Sequence, residues 1–379
     1  MEQNSITADE REGLSKRFNL SDAHTYHKMS GEEQRKILDR FPEIFRESIS
    51  RDYFELEASS SAAFGLAVGQ STTHENLVCS TYSSSVSIMI VARYLKQLRI
   101  KTSLTSPTFD NLSALLRGEG VEVCGVPISE LVARAADPRS QLRNVGAHFV
   151  VTPNNPTGEL LSQTDVEALA LECSKTRQIL IFDQSFKAHV EDACFDYFTI
   201  LERHGVNYIV IEDTGKLWPV RDLKASFIHA SKSVRDDLRA IADDVLLNIS
   251  PFILQVVEEY SKHSSVDDFS DLRSIIGKNR DHLRAALKER LSGLHSLPFR
   301  NSRVGVELVS FNLPSQKVAE RSADLGLAIL DVDKFYWNST RDSKSTTVRL
   351  ALMRDHEYFK EAVAVLIGVI ESMELKNAS

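Results

Sequence analysis

Four short strings carry side chains suited to chemistry at a carbonyl centre: TPNNPTG at 152–158, IFDQSF at 181–186, IEDTGKLWP at 211–219 and VRLAL at 348–352. Among them are a primary amine (Lys216), two carboxylates (Asp183 and Asp213), an amide (Asn155) and a guanidinium (Arg349). An amine of this kind attacks carbonyl carbon, and a guanidinium offers a planar fork that matches a carboxylate. Singly, each string is ordinary. NPTG suits a turn, with Pro second and Gly fourth. An aspartate closing an apolar run often does no more than end a strand and cap a helix, and a lysine in a glycine-containing turn is normally solvated. Their fixed order, each at or just after the end of a β-rich run, gives them weight as a set.

The elements that must position them are readable in the alternation of the chain. Apolar or β-branched runs fall at Leu77–Thr81, Thr102–Thr105, Val121–Val126, His148–Thr152, Ile179–Asp183, Tyr208–Glu212 and Ala225–His229, with helical patterns between several of them, such as Ser87–Leu98, Asp110–Arg117 and Thr164–Thr176. Strand and helix in repetition predict an α/β domain with a mostly parallel seven-stranded sheet and helices on both faces. Ligands of such sheets sit beyond the carboxyl ends of the strands, where the motifs fall. Beyond about residue 230 long helical patterns take over, followed by a second α+β set from Val304 to Glu371 that predicts a smaller C-terminal domain. The expected division is an N-terminal helical arm over 1–45, a large domain over 46–260 and a small domain over 261–379. The arm shows no obvious strand, and the serine run Ser59–Ser61 and the stretch Asn338–Ser345 are expected as loops.

Composition narrows the class. The 379 residues are 42% hydrophobic and 26% charged, an ordinary globular balance. A formal charge of −8 argues against a partner such as nucleic acid that needs a basic surface. No apolar run approaches the roughly 20 residues that span a bilayer, so no membrane partner is expected. The acidic, polar start MEQNSITADEREG is unlike a signal or transit peptide. Cys79, Cys124, Cys173 and Cys194 show no CxxC spacing and read as reduced core residues of a cytoplasmic protein, with no metal site among them.

In this order and spacing the motifs resemble the fold-type-I pyridoxal-phosphate (PLP) enzymes of the aminotransferase superfamily. The resemblance implies that Lys216 forms the Schiff base with PLP and that Asp183 partners the pyridine nitrogen. It further implies that Asn155 bonds the ring phenol oxygen, Phe109 stacks on the ring, and Arg349 clamps the substrate α-carboxylate. The run Ser83, Ser84 and Ser85, opening a helix after the first strand, would meet the phosphate, with Ser185 nearby and Lys224 where the family carries an arginine. Two positions depart from ordinary aminotransferases. Phe186 replaces a tyrosine, and Asp213 stands three residues before the lysine, where serine is usual. An acid there favours a charged lysine and suits a substrate that brings a cation.

These departures carry a closer resemblance. YSSSVS (82–87), PTFDN (107–111), LLRGEG (115–120), IEDTGKLWP and DLKA (222–225), with the arm string SDAHTYHKMSGEEQ, look like the PLP-dependent L-arginine oxidases and hydroxylases of enduracididine-type pathways. That family implies oxidation of L-arginine by molecular oxygen with PLP alone, through quinonoid intermediates, giving 4-hydroxy-2-oxoarginine, 2-oxoarginine or a dehydroarginine product with ammonia and peroxide. Lys216 is then the base. Glu10 and Asp213 would hold the guanidinium, while Thr7 would anchor the arm and His24 would position or deprotonate a water. A homodimer is expected from the same resemblance. A conventional aminotransferase acting on a basic amino acid is the alternative, and a catalytically silent scaffold is disfavoured by the retention of Lys216, Asp183, Asn155 and Arg349.

Overall fold

The computed structural model describes residues 5–28, 32–72, 75–291, 304–338 and 345–378. Its twelve strands run in chain order: β1 (Phe18–Asn19), β2 (Leu77–Thr81), β3 (Thr102–Thr105), β4 (Val123–Val126), β5 (Ala147–Val151), β6 (Ile179–Asp183), β7 (Tyr208–Asp213), β8 (Ser226–Ala230), β9 (Val306–Ser310), β10 (Leu327–Ala328), β11 (Leu330–Asp331) and β12 (Thr347–Ala351). Seven of them form the expected sheet, in the order β2-β8-β7-β6-β5-β3-β4. Only β8 runs against its neighbours.

Strand composition explains the layering. AHFVV, ILIFD and YIVIED are buried on both faces, as central parallel strands must be when helices cover each side. Alternation then sorts the side chains. Phe149, Val151, Ile181, Ile209 and Ile211 pack in one layer with the helices Ser84–Leu98 and Lys232–Val245. Val150, Leu180, Phe182, Tyr208 and Val210 face the opposite layer with Gln163–Thr176 and Tyr197–Arg203. Because successive side chains alternate, Asp183 and Asp213 fall on the face of Ile181 and Ile211. That face also carries the N-terminus of Ser84–Leu98.

Register brings the strand ends together. Asp183 pairs across to Val151 on β5 and to Ile211 on β7, while Asp213 pairs with Ser226, which pairs with Thr81 at the end of β2. One edge of the sheet therefore presents the chain leaving β2, β5, β6 and β7 and the chain entering β8. A three-stranded antiparallel sheet, β11-β12-β9, holds Arg349 on its central strand, opposite Leu308 and Leu330.

Three local expectations are corrected. Ser59, Ser60 and Ser61 lie inside the helix Tyr53–Ala67 rather than in a loop. Their hydroxyls are bound within the fold: Ser60 donates to the Leu254 carbonyl at 3.0 Å and Ser61 pairs with His229 at 2.9 Å. Tertiary contacts override the modest helix preference of serine. The arm does contain a strand, since β1 runs parallel to β10. Of the cysteines, all free, Cys79 and Cys173 are buried but Cys124 and Cys194 are only half-buried. In the expected loop Asn338–Ser345, residues 339–344 lie outside the described residues.

Candidate active site

A cavity of about 270 Å³ opens at that sheet edge and is roofed by the arm. Thirteen of the fourteen side chains singled out in the sequence line it: Thr7, Glu10, His24, Ser83, Ser84, Ser85, Phe109, Asn155, Asp183, Ser185, Asp213, Lys216 and Lys224. The fourteenth, Arg349, lies fully buried behind Glu10.

The floor is built from the strand ends. Lys216 donates from Nζ to Asp213 Oδ2 at 3.0 Å, and Asp213 Oδ1 accepts from the Gly215 amide at 3.1 Å. Burial works to lower the lysine's pKa, but the carboxylates of Asp213 and Asp183 outweigh it and hold the ammonium above its ordinary range. Asp213 is correspondingly held below the usual carboxylate range, burial being overcome chiefly by Lys216. The ammonium also lies 5.3 Å above the centre of the Phe186 ring. An aromatic face without a hydroxyl thus occupies the place expected of a tyrosine.

Asp183 is buried, with Oδ1 accepting from the Ser185 amide at 2.9 Å and from the Ser185 hydroxyl at 2.6 Å. Burial raises its pKa, opposed by those two bonds and by Lys216. Its Oδ2 remains for a cation in the cavity, and such a cation would offset the desolvation. Asn155 carries a buried Oδ1 with no partner among the described residues. Ser83 caps the helix Ser84–Leu98 by accepting from the Val86 amide, and the Ser84 and Ser85 amides at its start are placed to receive an anion. Asn111, which the sequence reading passed over, donates to Ser85 Oγ at 3.1 Å and steadies that turn.

The roof comes from the arm, and Arg354 pins it there. This buried guanidinium donates to the carbonyls of Asn19 at 2.7 Å, Asp22 at 2.5 Å and His24 at 2.7 Å. The helix Ile6–Gly13 is anchored separately, by its Ile6 amide on Asp110 Oδ2 at 2.9 Å and by an ion pair between Asp9 and Lys334. Within the arm Asp22 accepts from His24 Nδ1 at 2.5 Å, and Lys224 Nζ stands 3.1 Å from His24 Nε2. These partners assign the neutral ring with its proton on Nδ1 and Lys224 as donor to Nε2. Lys224 therefore ties the phosphate side of the cavity to the arm.

Glu10 does not stand free for a substrate guanidinium. Its Oε1 accepts from Arg349 Nη2 at 3.0 Å, while Arg349 Nε and Nη1 have no partner among the described residues. Burial pushes the Glu10 carboxyl up to about 7, with Arg349 opposing. The two residues expected at opposite ends of a substrate are paired with each other. A substrate carboxylate would take the Nη2 donor from Glu10 together with one of the two unpartnered nitrogens.

Arg354, Asn111 and His189 are the site residues not singled out; all three depend on tertiary approach and leave no local signature. Among the described residues no group of three or more His, Cys, Asp or Glu could hold a metal ion, and no helix is long and apolar enough to cross a membrane.

An ordered row of lysine, carboxylate, amide and helix N-terminus around one cavity fits the cofactor of a single enzyme class. Residues 61–365 match the aminotransferase class I and II family, and the chain belongs to it, a family that uses PLP. Within that family, the structure is similar to MppP soaked with its product 2-ketoarginine. The TM-score is 0.86 and identity 34%, covering 93% of this chain and 99% of that one, which places both in one family. This bears out the arginine-oxidase family resemblance. Aspartate aminotransferase from Thermus thermophilus with maleate, at 17% identity and TM-score 0.76 over 97% of each chain, shares the fold. The histidinol-phosphate aminotransferases of Buchnera aphidicola and Thermococcus kodakarensis are 23% and 26% identical over 186 residues, 48% and 49% of this chain. The chain spans about half the length of these curated relatives.

Proposed function

We propose that the protein is a PLP- and oxygen-dependent L-arginine oxidase or hydroxylase. The observation that carries this reading is the carboxylate set: Glu10 and Asp22 from the roof and Asp213 from the floor line the same cavity. Such a cavity suits a substrate with a cationic tail. Likeness to a structure soaked with 2-ketoarginine supports the same tail chemistry.

Bound PLP supplies an aldehyde that condenses with an amine and a cationic ring that draws electron density from the amino acid's α-carbon. Lys216, Asp183, Asn155, Phe109, Ser185 and the Ser83–Ser85 turn with Lys224 would hold it. Arg349 would orient the substrate carboxylate by pairing Nη2, now held by Glu10, with one of its unpartnered nitrogens, Nε or Nη1. The Lys216 amine stands where it can take the proton from the α-carbon and return it elsewhere. Arg349 captured by substrate releases Glu10, which with Asp213 offers acceptors to the guanidinium. His24, with Asp22 fixing its tautomer, would present Nε2 to a water near the side chain once Lys224, which now donates to it, turns to the cofactor's phosphate. The roof keeps bulk water from the reacting centre.

The overall changes balance. Two-electron oxidation converts arginine, one dioxygen and one water into 2-oxoarginine, ammonia and one hydrogen peroxide. Four-electron oxidation consumes two dioxygens and two waters, one water giving the keto oxygen and the other the C4 hydroxyl, and yields two peroxides. We also propose a homodimer, supported by the exposed apolar side chains of Phe45, Ile49, Phe54 and Leu66 on two successive helices. Light scattering of the purified chain tests it.

The decisive experiment incubates pure, PLP-loaded protein with L-arginine in air without any 2-oxo acid, recording oxygen, peroxide and products by mass spectrometry. Oxygen uptake with 2-oxoarginine or its 4-hydroxy derivative is expected. Turnover that needs pyruvate or 2-oxoglutarate and consumes no oxygen would establish the aminotransferase alternative instead.

A further inference from the structure

His189 sits in the turn Lys187–His189, six residues past Asp183, and is buried. Its ring makes two bonds. Nε2 lies 2.9 Å from the Lys216 carbonyl, and Nδ1 lies 2.9 Å from the Gly305 amide. A carbonyl only accepts and an amide only donates, so both partners assign one neutral tautomer, with the proton on Nε2. The ring edge also packs on Phe186, with centroids 5.0 Å apart, beneath the Lys216 ammonium.

We propose that His189 is a positioning residue for the cofactor lysine, fixing the Lys216 peptide through Nε2 and tying it through Nδ1 to the segment that carries the arm. The lysine has four rotatable bonds, so where its amine reaches depends on where its root is held. The link continues beyond Gly305, whose carbonyl accepts from Leu352 at 2.9 Å, and the next residue, Met353, accepts through its carbonyl from the arm residue Tyr26 at 3.0 Å. Space at Gly305 is matched to the ring: a Cβ there would meet Met353 Sδ at 2.4 Å and His189 Cε1 at 3.0 Å. Burial lowers the His189 pKa to about 3, so the ring keeps one protonation state at working pH and serves as a fixed strut, not a proton carrier.

This inference rests on Lys216 being the cofactor lysine, not on arginine or oxygen as substrates. Two substitutions separate the two bonds, because a glutamine amide nitrogen reaches about where Nε2 lies and an asparagine oxygen about where Nδ1 lies. The readouts are the pH titration of the visible absorption of the PLP-loaded enzyme and kcat. His189→Asn, which loses the Lys216 contact, is expected to shift that titration and lower kcat on the order of 100-fold, the scale of a misplacement of about 1 Å. His189→Gln, which keeps it, is expected to titrate close to the parent and to lose less than about tenfold. Apoenzyme melting temperatures should fall for both, since each loses one buried bond. Equal spectral shifts in the two variants, or none in His189→Asn, would overturn the assignment. If neither variant folds, 15N-histidine spectra of the parent holoenzyme decide: a His189 ring that titrates between pH 5 and 9 overturns it, and one held as the Nε2–H tautomer supports it. Lys216→Ala is the control for the underlying reading. If it keeps the parent's visible absorption, the lysine assignment fails; if it loses that absorption while His189→Asn titrates like the parent, only the present inference fails.

Discussion

The floor and the roof of the cavity are held by different physics. The floor grows from the ends of β5, β6 and β7, where ladder bonds and two apolar layers fix each backbone to its neighbours. Asp183 and Asp213 inherit that rigidity. The roof is one short helix, Ile6–Gly13, and the extended chain after it, held by one buried arginine, a two-residue strand pairing and a few side-chain contacts. Chemistry common to the whole family lies on the floor, and the groups that would select a cationic substrate lie mostly on the roof. Asp213 is the exception, a carboxylate that would contribute to selection yet is set into the floor.

Substitutions on the floor should therefore abolish function outright. Lys216→Ala removes the amine bonded to Asp213 in the cavity, and turnover should fall by roughly 10⁴-fold or more. The purified variant should also lose the yellow colour of the lysine-bound cofactor. Asp183→Ala removes the buried carboxylate available to the cofactor ring, and a loss on the order of 10²–10³-fold is expected, the scale for one preorganised electrostatic partner. PLP should dissociate more readily, measurable by equilibrium dialysis. A floor variant that kept parental turnover would erase the distinction between the two regions.

The same division explains what could be read from the sequence. Strands β2, β3 and β6 were legible to the residue because short apolar or β-branched runs set between helical patterns have few alternatives. Their terminal motifs followed, and thirteen of fourteen predicted side chains do converge on one cavity. The roof was harder. β1 is two residues long and exists only because β10 lies beside it, and no periodicity announces such a pairing. Arg354 looks like any surface arginine until the carbonyls of Asn19, Asp22 and His24 are brought to it. The pairing of Glu10 with Arg349 was also hidden, because 339 residues separate them.

Roof substitutions should change selection and product more than capacity. Glu10→Gln removes one carboxylate from the cavity while keeping its shape, and kcat/KM for arginine should fall roughly tenfold, the worth of one charge-assisted hydrogen bond. The loss should fall mainly in KM, and little should change for an uncharged amino acid of similar length. His24→Phe should preserve oxygen uptake within a few fold while shifting product from hydroxylated to plain 2-oxoarginine, read by mass spectrometry. An unchanged product ratio would remove His24 from any step at the side chain.

The smallest expected effect follows from the elevated Glu10 carboxyl. Its pKa is about 7 when the arm is docked, because burial outweighs the attraction of Arg349, and returns toward the ordinary value near 4.5 when the arm lifts into water. Between those two values the docked form binds more protons, so docking must weaken as pH rises from about 4.5 to 7 and level off above that. Hydrogen exchange of residues 6–13 in the ligand-free enzyme, once corrected for intrinsic exchange, should therefore quicken across the window. Glu10→Gln should flatten that dependence. The floor offers the internal control: amides of β6 and β7, once corrected for intrinsic exchange, should show no matching step. A step of equal size in both regions would mean that arm and sheet open as one unit, and the contrast between them would not hold.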